Sequence, residues 1–260
     1  MVTEYIKYEK RGRTAFVTLN RPQALNSIHA PALAELRLIW QDFRDDPDLW
    51  VAIITGTGDK AFCVGADLKY RAEKEDENTL RRSDTHPEYG SVGCYKPIIA
   101  AVNGYAIGGG LELVLGCDII IASRQARFGL PEARRGLLAD AGGVIQLPRR
   151  IPYHMAMAMI LTGRMFTADQ AYQMGLVNEV VDGPDLMETA IRWSDEILEC
   201  APLSLRAAKQ VVMKTMGLPL DVGENLIESL SCVRDLRESD DYVEGPKAFN
   251  EKRKPVWTGK

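Results

Sequence analysis

The chain alternates between two kinds of hydrophobic pattern before giving way to a third. Tyr5 to Glu9 and Thr14 to Leu19 alternate apolar and polar residues around Gly12, which predicts a hairpin whose second strand ends at Asn20-Arg21-Pro22. Ser27 to Phe43 places Leu33, Leu36, Ile39, Trp40 and Phe43 at helical spacing, and Asp45-Asp46-Pro47 stops it. Trp50 to Ile54 is a short apolar run of the kind buried on both faces, and Ile98 to Val102 and Asp118 to Ala122 repeat that form. With helical patterns between them, the order predicts an α/β fold on a mostly parallel sheet.

Two stretches depart from this rhythm. Residues 70 to 90 crowd Arg71, Glu73, Lys74, Glu75 and Asp76 ahead of His86-Pro87-Glu88-Tyr89-Gly90. This is either an exposed helix and loop or a lid over a pocket. From Ala201-Pro202 onward the pattern is helical only, and Ser204 to Met216, Asp221 to Leu236 and Asp240 to Lys252 read as three helices. The middle one carries Leu226, Ile227, Leu230, Val233 and Leu236, a stripe that must bury against something. The expected division is a core over residues 1–200 and a helical subdomain over 201–260 that serves subunit contact.

Composition narrows the class. The 260 residues are 46% hydrophobic and 26% charged, with net charge −4, so nothing suggests a nucleic-acid footprint. The basic run Lys247 to Lys254 is a solvated helix face or an anion contact. Five cysteines without a C-x-x-C pair suggest neither a zinc nor a redox motif, and imply a reducing, cytoplasmic setting; a cleaved mitochondrial transit peptide stays open. The first residues lack the apolar run of a secretory signal, and no uninterrupted apolar stretch is long enough to span a membrane.

The chemistry concentrates in two glycine-rich turns and two glutamates. After Trp50 to Ile54 the chain reaches Phe62-Cys63-Val64-Gly65-Ala66-Asp67-Leu68-Lys69; Gly65 can hold angles closed to other residues, and the Ala66 N–H opens a helix. After Ile98 to Val102 the turn Gly104 to Gly110 repeats the arrangement and runs into Leu111-Glu112. Two backbone N–H groups converging on one oxygen make an oxyanion hole. Glu112 and Glu132, the latter closing Phe128-Gly129-Leu130-Pro131-Glu132, can handle protons beside it, so the combination suits an enolate. The glycines do not spell G-x-G-x-x-G, and no Lys-Ser/Thr follows them, which argues against a nucleotide site.

Asn20-Arg21-Pro22, Ala24-Leu25-Asn26, Gly65 to Lys69, Asn103 to Glu112, Cys117-Asp118, Phe128 to Glu132, Ala141-Gly142-Gly143, Leu161-Thr162-Gly163 and Ala171 to Asn178 together resemble the crotonase superfamily, most of all its enoyl-CoA hydratases. The resemblance runs from end to end. It implies a spiral of repeated strand-strand-helix turns with C-terminal helices, and assembly as trimers or as hexamers built from two trimers. It also implies an acyl-CoA thioester held by the N–H groups of Ala66 and Gly109, with Ala24, Asp67, Leu68 and Lys69 bordering the CoA. No separate cofactor or metal is implied, since CoA is part of the substrate. Glu112 would assist water onto the β-carbon and Glu132 would supply the α-proton, a step of fatty-acid β-oxidation.

One residue departs from that pattern. Asp140 stands where the hydratases carry glycine, and an acid there resembles dienoyl-CoA isomerases and crotonobetainyl-CoA hydratases. It is either a third carboxylate of the site or the N-cap of a helix over Ala141 to Leu147. His29, His86 and His154 lie too far from any carboxylate or cysteine pattern to suggest a metal site, and Cys63 lacks an evident base partner.

Overall fold

The computed structural model describes residues 3–74 and 93–260. A hairpin opens the chain, β1 (Ile6–Arg11) antiparallel to β2 (Thr14–Leu19), with Gly12 at positive φ in its turn. Helix α1 (Ala30–Asp45) follows, then β3 (Val51–Gly56), β5 (Ile98–Val102), β7 (Ile119–Ser123) and β10 (Glu179–Val181). These form a six-stranded sheet in the order β1-β2-β3-β5-β7-β10, parallel everywhere except at the hairpin.

The continuous apolar runs are explained by what lies on each face. Ala52, Ile54, Ala100, Val102, Ile120 and Ala122 point into the main core with Leu36, Ile39 and Phe43 of α1. Their alternating neighbours Val51, Ile53, Ile99, Ala101 and Ile121 pack on Leu186 and Ala190 of the helix Leu186–Leu198. A strand with period-two side chains and cover on both sides has no polar face to show.

A second sheet escapes periodicity because its strands are too short to display any. It joins β4 (Ala61–Cys63), β6 (Tyr105–Ile107), β8 (Arg127–Gly129) and β9 (Phe166–Thr167), with β4, β6 and β8 parallel. Strands β3, β5 and β7 of the first sheet are thus each followed by a short strand in the second. Helices α2 (Leu68–Lys74) and α3 (Gly109–Leu115) follow β4 and β6, and a 3-10 turn (Glu132–Arg135) follows β8. This is the strand-strand-helix spiral.

Three differences from expectation have a local cause or alter an element. The helix expected from Ser27 begins at Ala30, with the His29 ring as its cap, because Ile28 pairs in a bridge with Ala66. The helix expected over Asp221 to Leu236 is two, Leu220–Ile227 and Ser231–Arg237, broken where the Ser229 hydroxyl donates to the Leu226 carbonyl and Leu230 turns extended. The helix expected over Ala141 to Leu147 is α4 (Gly143–Arg150). Two clusters spanning Ile6 to Leu198 make up the core, while the C-terminal helices Pro202–Thr215, Leu220–Ile227, Ser231–Arg237 and Asp240–Asn250 lie outside both. Among the described residues, no helix is long and apolar enough to cross a membrane. Most of the segment expected as a lid, from residue 75 and including His86, lies outside the described residues.

Candidate active site

The first turn leaves β4 through Gly65, whose φ of +84° favours glycine. The Ile28 N–H donates to the Gly65 carbonyl at 2.8 Å and the Asp67 N–H donates to the Ile28 carbonyl at 3.1 Å. Ala66, the bridge residue between them, therefore directs its own N–H away from Ile28. Asp67 caps α2, accepting from the Tyr70 N–H at 3.0 Å, and its other oxygen pairs with Arg21 at 2.9 Å. Lys69 is solvent-exposed beside Glu73, Leu68 is exposed, and Ala24 is half-buried in a 3-10 turn after β2.

The second turn comes to the first at backbone contact. A side chain at Gly65 would set its Cβ 2.7 Å from the Gly109 nitrogen, and one at Gly110 would strike the Cys63 carbonyl. Gly108 (φ +57°, ψ −128°) precedes α3, and Gly109, as that helix's first residue, has an N–H without an intrahelical acceptor. The two predicted oxyanion donors thus sit on adjoining turns at the ends of the neighbouring strands β4 and β6.

Both glutamates reach this junction. Glu112 lies in α3, all of whose residues are buried, and its Oε1 accepts the Gly143 N–H at 2.9 Å. Burial is the main force on its carboxyl; the Gly143 N–H opposes it, the Glu132 and Asp140 charges add to it, and together they push the group up to about 7. Glu132 begins the 3-10 turn after β8, with Oε1 placed 2.8 Å from where a Cβ on Gly108 would stand. Its Oε2 is buried without a hydrogen-bond partner. Burial raises this carboxyl too, with Arg135 pulling down and Asp140 pushing up.

Asp140 is exposed, and its charge bears on both glutamates. It is not the cap of the following helix, which corrects that alternative. Gly142, at φ +116°, is the N-cap residue of α4, and the anion at the first turn is Glu112, arriving from α3. Sequence spacing offered no sign of this, since the partners are far apart in the chain. Gly108 belongs to the turn read as an oxyanion turn and Gly143 to a family motif, but their contacts with Glu132 and Glu112 are not legible in sequence, since a run of glycines shows permissiveness and not which neighbour demands it.

The remaining candidates fall away from this centre. The Cys63 thiol is fully buried and pushed up to about 12, so it packs and does not react. His29 is buried between the rings of Tyr5 and Tyr70, while His154 stacks edge-on against the exposed Tyr153. Among the described residues, no group of His, Cys, Asp or Glu has the arrangement of a metal site.

Comparison with known proteins supports the fold and the family. A family model described as enoyl-CoA hydratase/isomerase matches residues 9–260. The (E)-benzylidenesuccinyl-CoA hydratase of Thauera aromatica is 42% identical over 98% of this chain and 99% of its own. The carnitinyl-CoA dehydratase of Proteus mirabilis is 41% identical over 96% and 97%. Among solved structures, an enoyl-CoA hydratase from Bacillus anthracis superimposes with a TM-score of 0.92 at 34% identity, covering 99% of this chain and 100% of that one. One from Mycobacterium tuberculosis gives 0.89 at 37%, covering 98% and 99%. The spiral of paired strands, the adjoining glycine turns and this end-to-end likeness place the chain in the enoyl-CoA hydratase/isomerase family, within the crotonase superfamily.

Proposed function

We propose that the chain is a hydro-lyase that adds water, in the syn sense, across the double bond of a 2-enoyl-CoA thioester, and removes it in reverse. The thioester oxygen is held by the Ala66 and Gly109 N–H groups. Backbone at Ala66 to Leu68, with Ala24 and Lys69, borders the CoA, which enters as part of the substrate. Asp67 contributes through its main chain, because its carboxylate is already occupied by Arg21 and the Tyr70 N–H.

The observation that carries the reading is the unequal footing of the two glutamates. Glu112 rests on a backbone donor, which favours its ionised form, whereas Glu132 presents a buried oxygen without an acceptor or donor opposite. Burial and mutual repulsion make the carboxyls titrate as a coupled set near neutrality, and hydration proceeds from the microstate in which Glu112 is ionised and Glu132 holds the proton. Glu112 then takes a proton from water as its oxygen bonds to the β-carbon. The π electrons shift onto the thioester oxygen, and the enolate collapses as the α-carbon takes the proton of Glu132. Passing the proton from Glu112 to Glu132 resets the pair.

Asp140 supports a second reading, isomerisation of a dienoyl-CoA or hydration of a crotonobetainyl-type acyl group, because its charge acts on both glutamates. The named relatives, a benzylidenesuccinyl-CoA hydratase and a carnitinyl-CoA dehydratase, favour an acyl group that is bulky or charged. The test is a panel of crotonyl-CoA, crotonobetainyl-CoA, benzylidenesuccinyl-CoA and a 3,5-dienoyl-CoA, read by absorbance of the conjugated thioester. Loss of the enoyl band supports hydration, and fastest turnover of crotonyl-CoA would put the enzyme in β-oxidation. A shift to longer conjugation with the dienoyl-CoA, and no loss with the others, overturns hydration.

The same proposal extends to assembly as a trimer or a dimer of trimers through the subdomain 201–260. Val212, Met213, Met216, Leu218 and Leu220 are exposed there, and the expected stripe from Leu226 to Leu236 is half-buried within one chain.

A further inference from the structure

Ala66 is held by a single bridge and not by a strand ladder, so its N–H direction depends on what braces that bridge. The brace is a guanidinium. Arg21 donates through Nη1 to the Ser27 carbonyl at 2.7 Å and through Nη2 to Asp67 Oδ2 at 2.9 Å. The Ser27 hydroxyl donates to the same oxygen at 3.2 Å. Arg21 thereby ties the residue before Ile28 to the residue after Ala66. The segment between is itself locked: Leu25 and Asn26 sit at φ +52° and +55°, and Asn26 accepts from the Arg21 N–H at 3.0 Å while donating to the Ala61 carbonyl at 2.8 Å. Consecutive non-glycine residues at positive φ persist only where surrounding contacts over-determine them.

We propose that Arg21 and Asp67 are positioning residues for the oxyanion, fixing the aim of the Ala66 N–H and cancelling a charge that would oppose the enolate. The inference rests on the assignment of Ala66 as an oxyanion donor. An α2 cap requires only the Asp67 carboxylate. A carboxylate one residue from the donor, however, repels negative charge developing on the thioester oxygen unless a cation neutralises it. Both sides of the pair are mostly buried, 14% and 13% exposed, so water does little of that screening.

The experiment combines kinetics with vibrational spectroscopy. Arg21→Met should lower kcat by roughly 10 to 10²-fold with KM little changed, the pattern of an interaction expressed in the transition state. Arg21→Lys should recover most of the loss. In Arg21→Met/Asp67→Asn the stranded charge is gone, so the double variant should be faster than Arg21→Met alone. In a Glu112→Gln background, the carbonyl band of bound ¹³C-labelled crotonyl-CoA should move to lower frequency than in solution, and by less once Arg21 is Met. Should Arg21→Met fail to fold, Ser27→Ala removes one contact to Asp67 and should reduce the shift in the same direction. A full band shift with unaltered kcat in the Arg21 and Ser27 variants overturns the positioning role alone. A Glu112→Gln parent that leaves the band unmoved overturns the oxyanion assignment itself, and this inference with it.

Discussion

The Gly143 N–H stands 2.9 Å from Oε1 of Glu112, so a carboxylate from one helix supplies the anion at the opening of another. The contact joins the second spiral turn to the segment after the third. It also places the buried acid where its charge is needed for chemistry but opposed by its surroundings.

Replacing either glutamate with glutamine should separate chemistry from binding. Glu112→Gln and Glu132→Gln should each lose at least ~10² in turnover, the lower range for a proton-transferring group. Calorimetric affinity for an acyl-CoA product should stay close to wild type. Wild-type rates in either variant would remove that residue from the mechanism.

Glu112 also makes stability depend on pH. Its carboxyl titrates near 4.5 when unperturbed and at about 7 in the fold. Across that window the folded chain keeps a proton that the unfolded chain has released, so stability falls as pH rises and levels off above 7. Glu112→Gln should therefore melt higher than wild type at pH 8, by a margin on the order of 3 kcal/mol, and about equally at pH 4.5. Equal melting temperatures at both pH values would show that burial does not raise this group.

Asp140→Asn should leave the melting temperature unchanged, since the side chain is exposed and Gly142 is the N-cap residue of α4. Removing its negative charge lowers both glutamates, so both limbs of the kcat/KM profile should move to lower pH. Hydration of crotonyl-CoA should survive within roughly tenfold, about 1.4 kcal/mol of barrier, while any dienoyl isomerisation is lost. An unmoved profile would take Asp140 out of the site.

Gly108→Ala tests the seat of Glu132. The new Cβ would lie 2.8 Å from Oε1, in a backbone conformation that strains any L side chain. The variant should lose about 1–3 kcal/mol of stability and a larger share of turnover, as Glu132 swings off its position. Full activity would mean that Glu132 works from elsewhere.

Light scattering of the intact chain should give three or six times 28.9 kDa. Met213→Glu combined with Leu220→Glu charges the exposed apolar face of the C-terminal helices and should yield smaller species. A monomeric wild type would refute the assembly.

Much of the fold is legible in the sequence. The long strands are legible because both faces of the sheet are covered, and Glu112 and Glu132 stand out as candidates because each follows a marked turn. Asp140's local surroundings are not legible, because helix signals such as a nearby acid are ambiguous when a distant glutamate can serve instead. The break at Ser229 and Leu230 was hidden by an apolar stripe that continues across it. Arg21 stands out in sequence as the end of a strand and as part of a family motif, but nothing there pairs it with Asp67.

The short sheet has a consequence beyond its contribution to the core. Its strands β4, β6 and β8 are hydrogen-bonded neighbours, and each delivers one part of the candidate site at its exit. Adjacent strands sit about 4.8 Å apart whatever side chains they carry. The peptide group is therefore the ruler: most side-chain substitutions change what stands at each exit, while the pitch from turn to turn is set by amide hydrogen bonds that only a residue such as proline would remove.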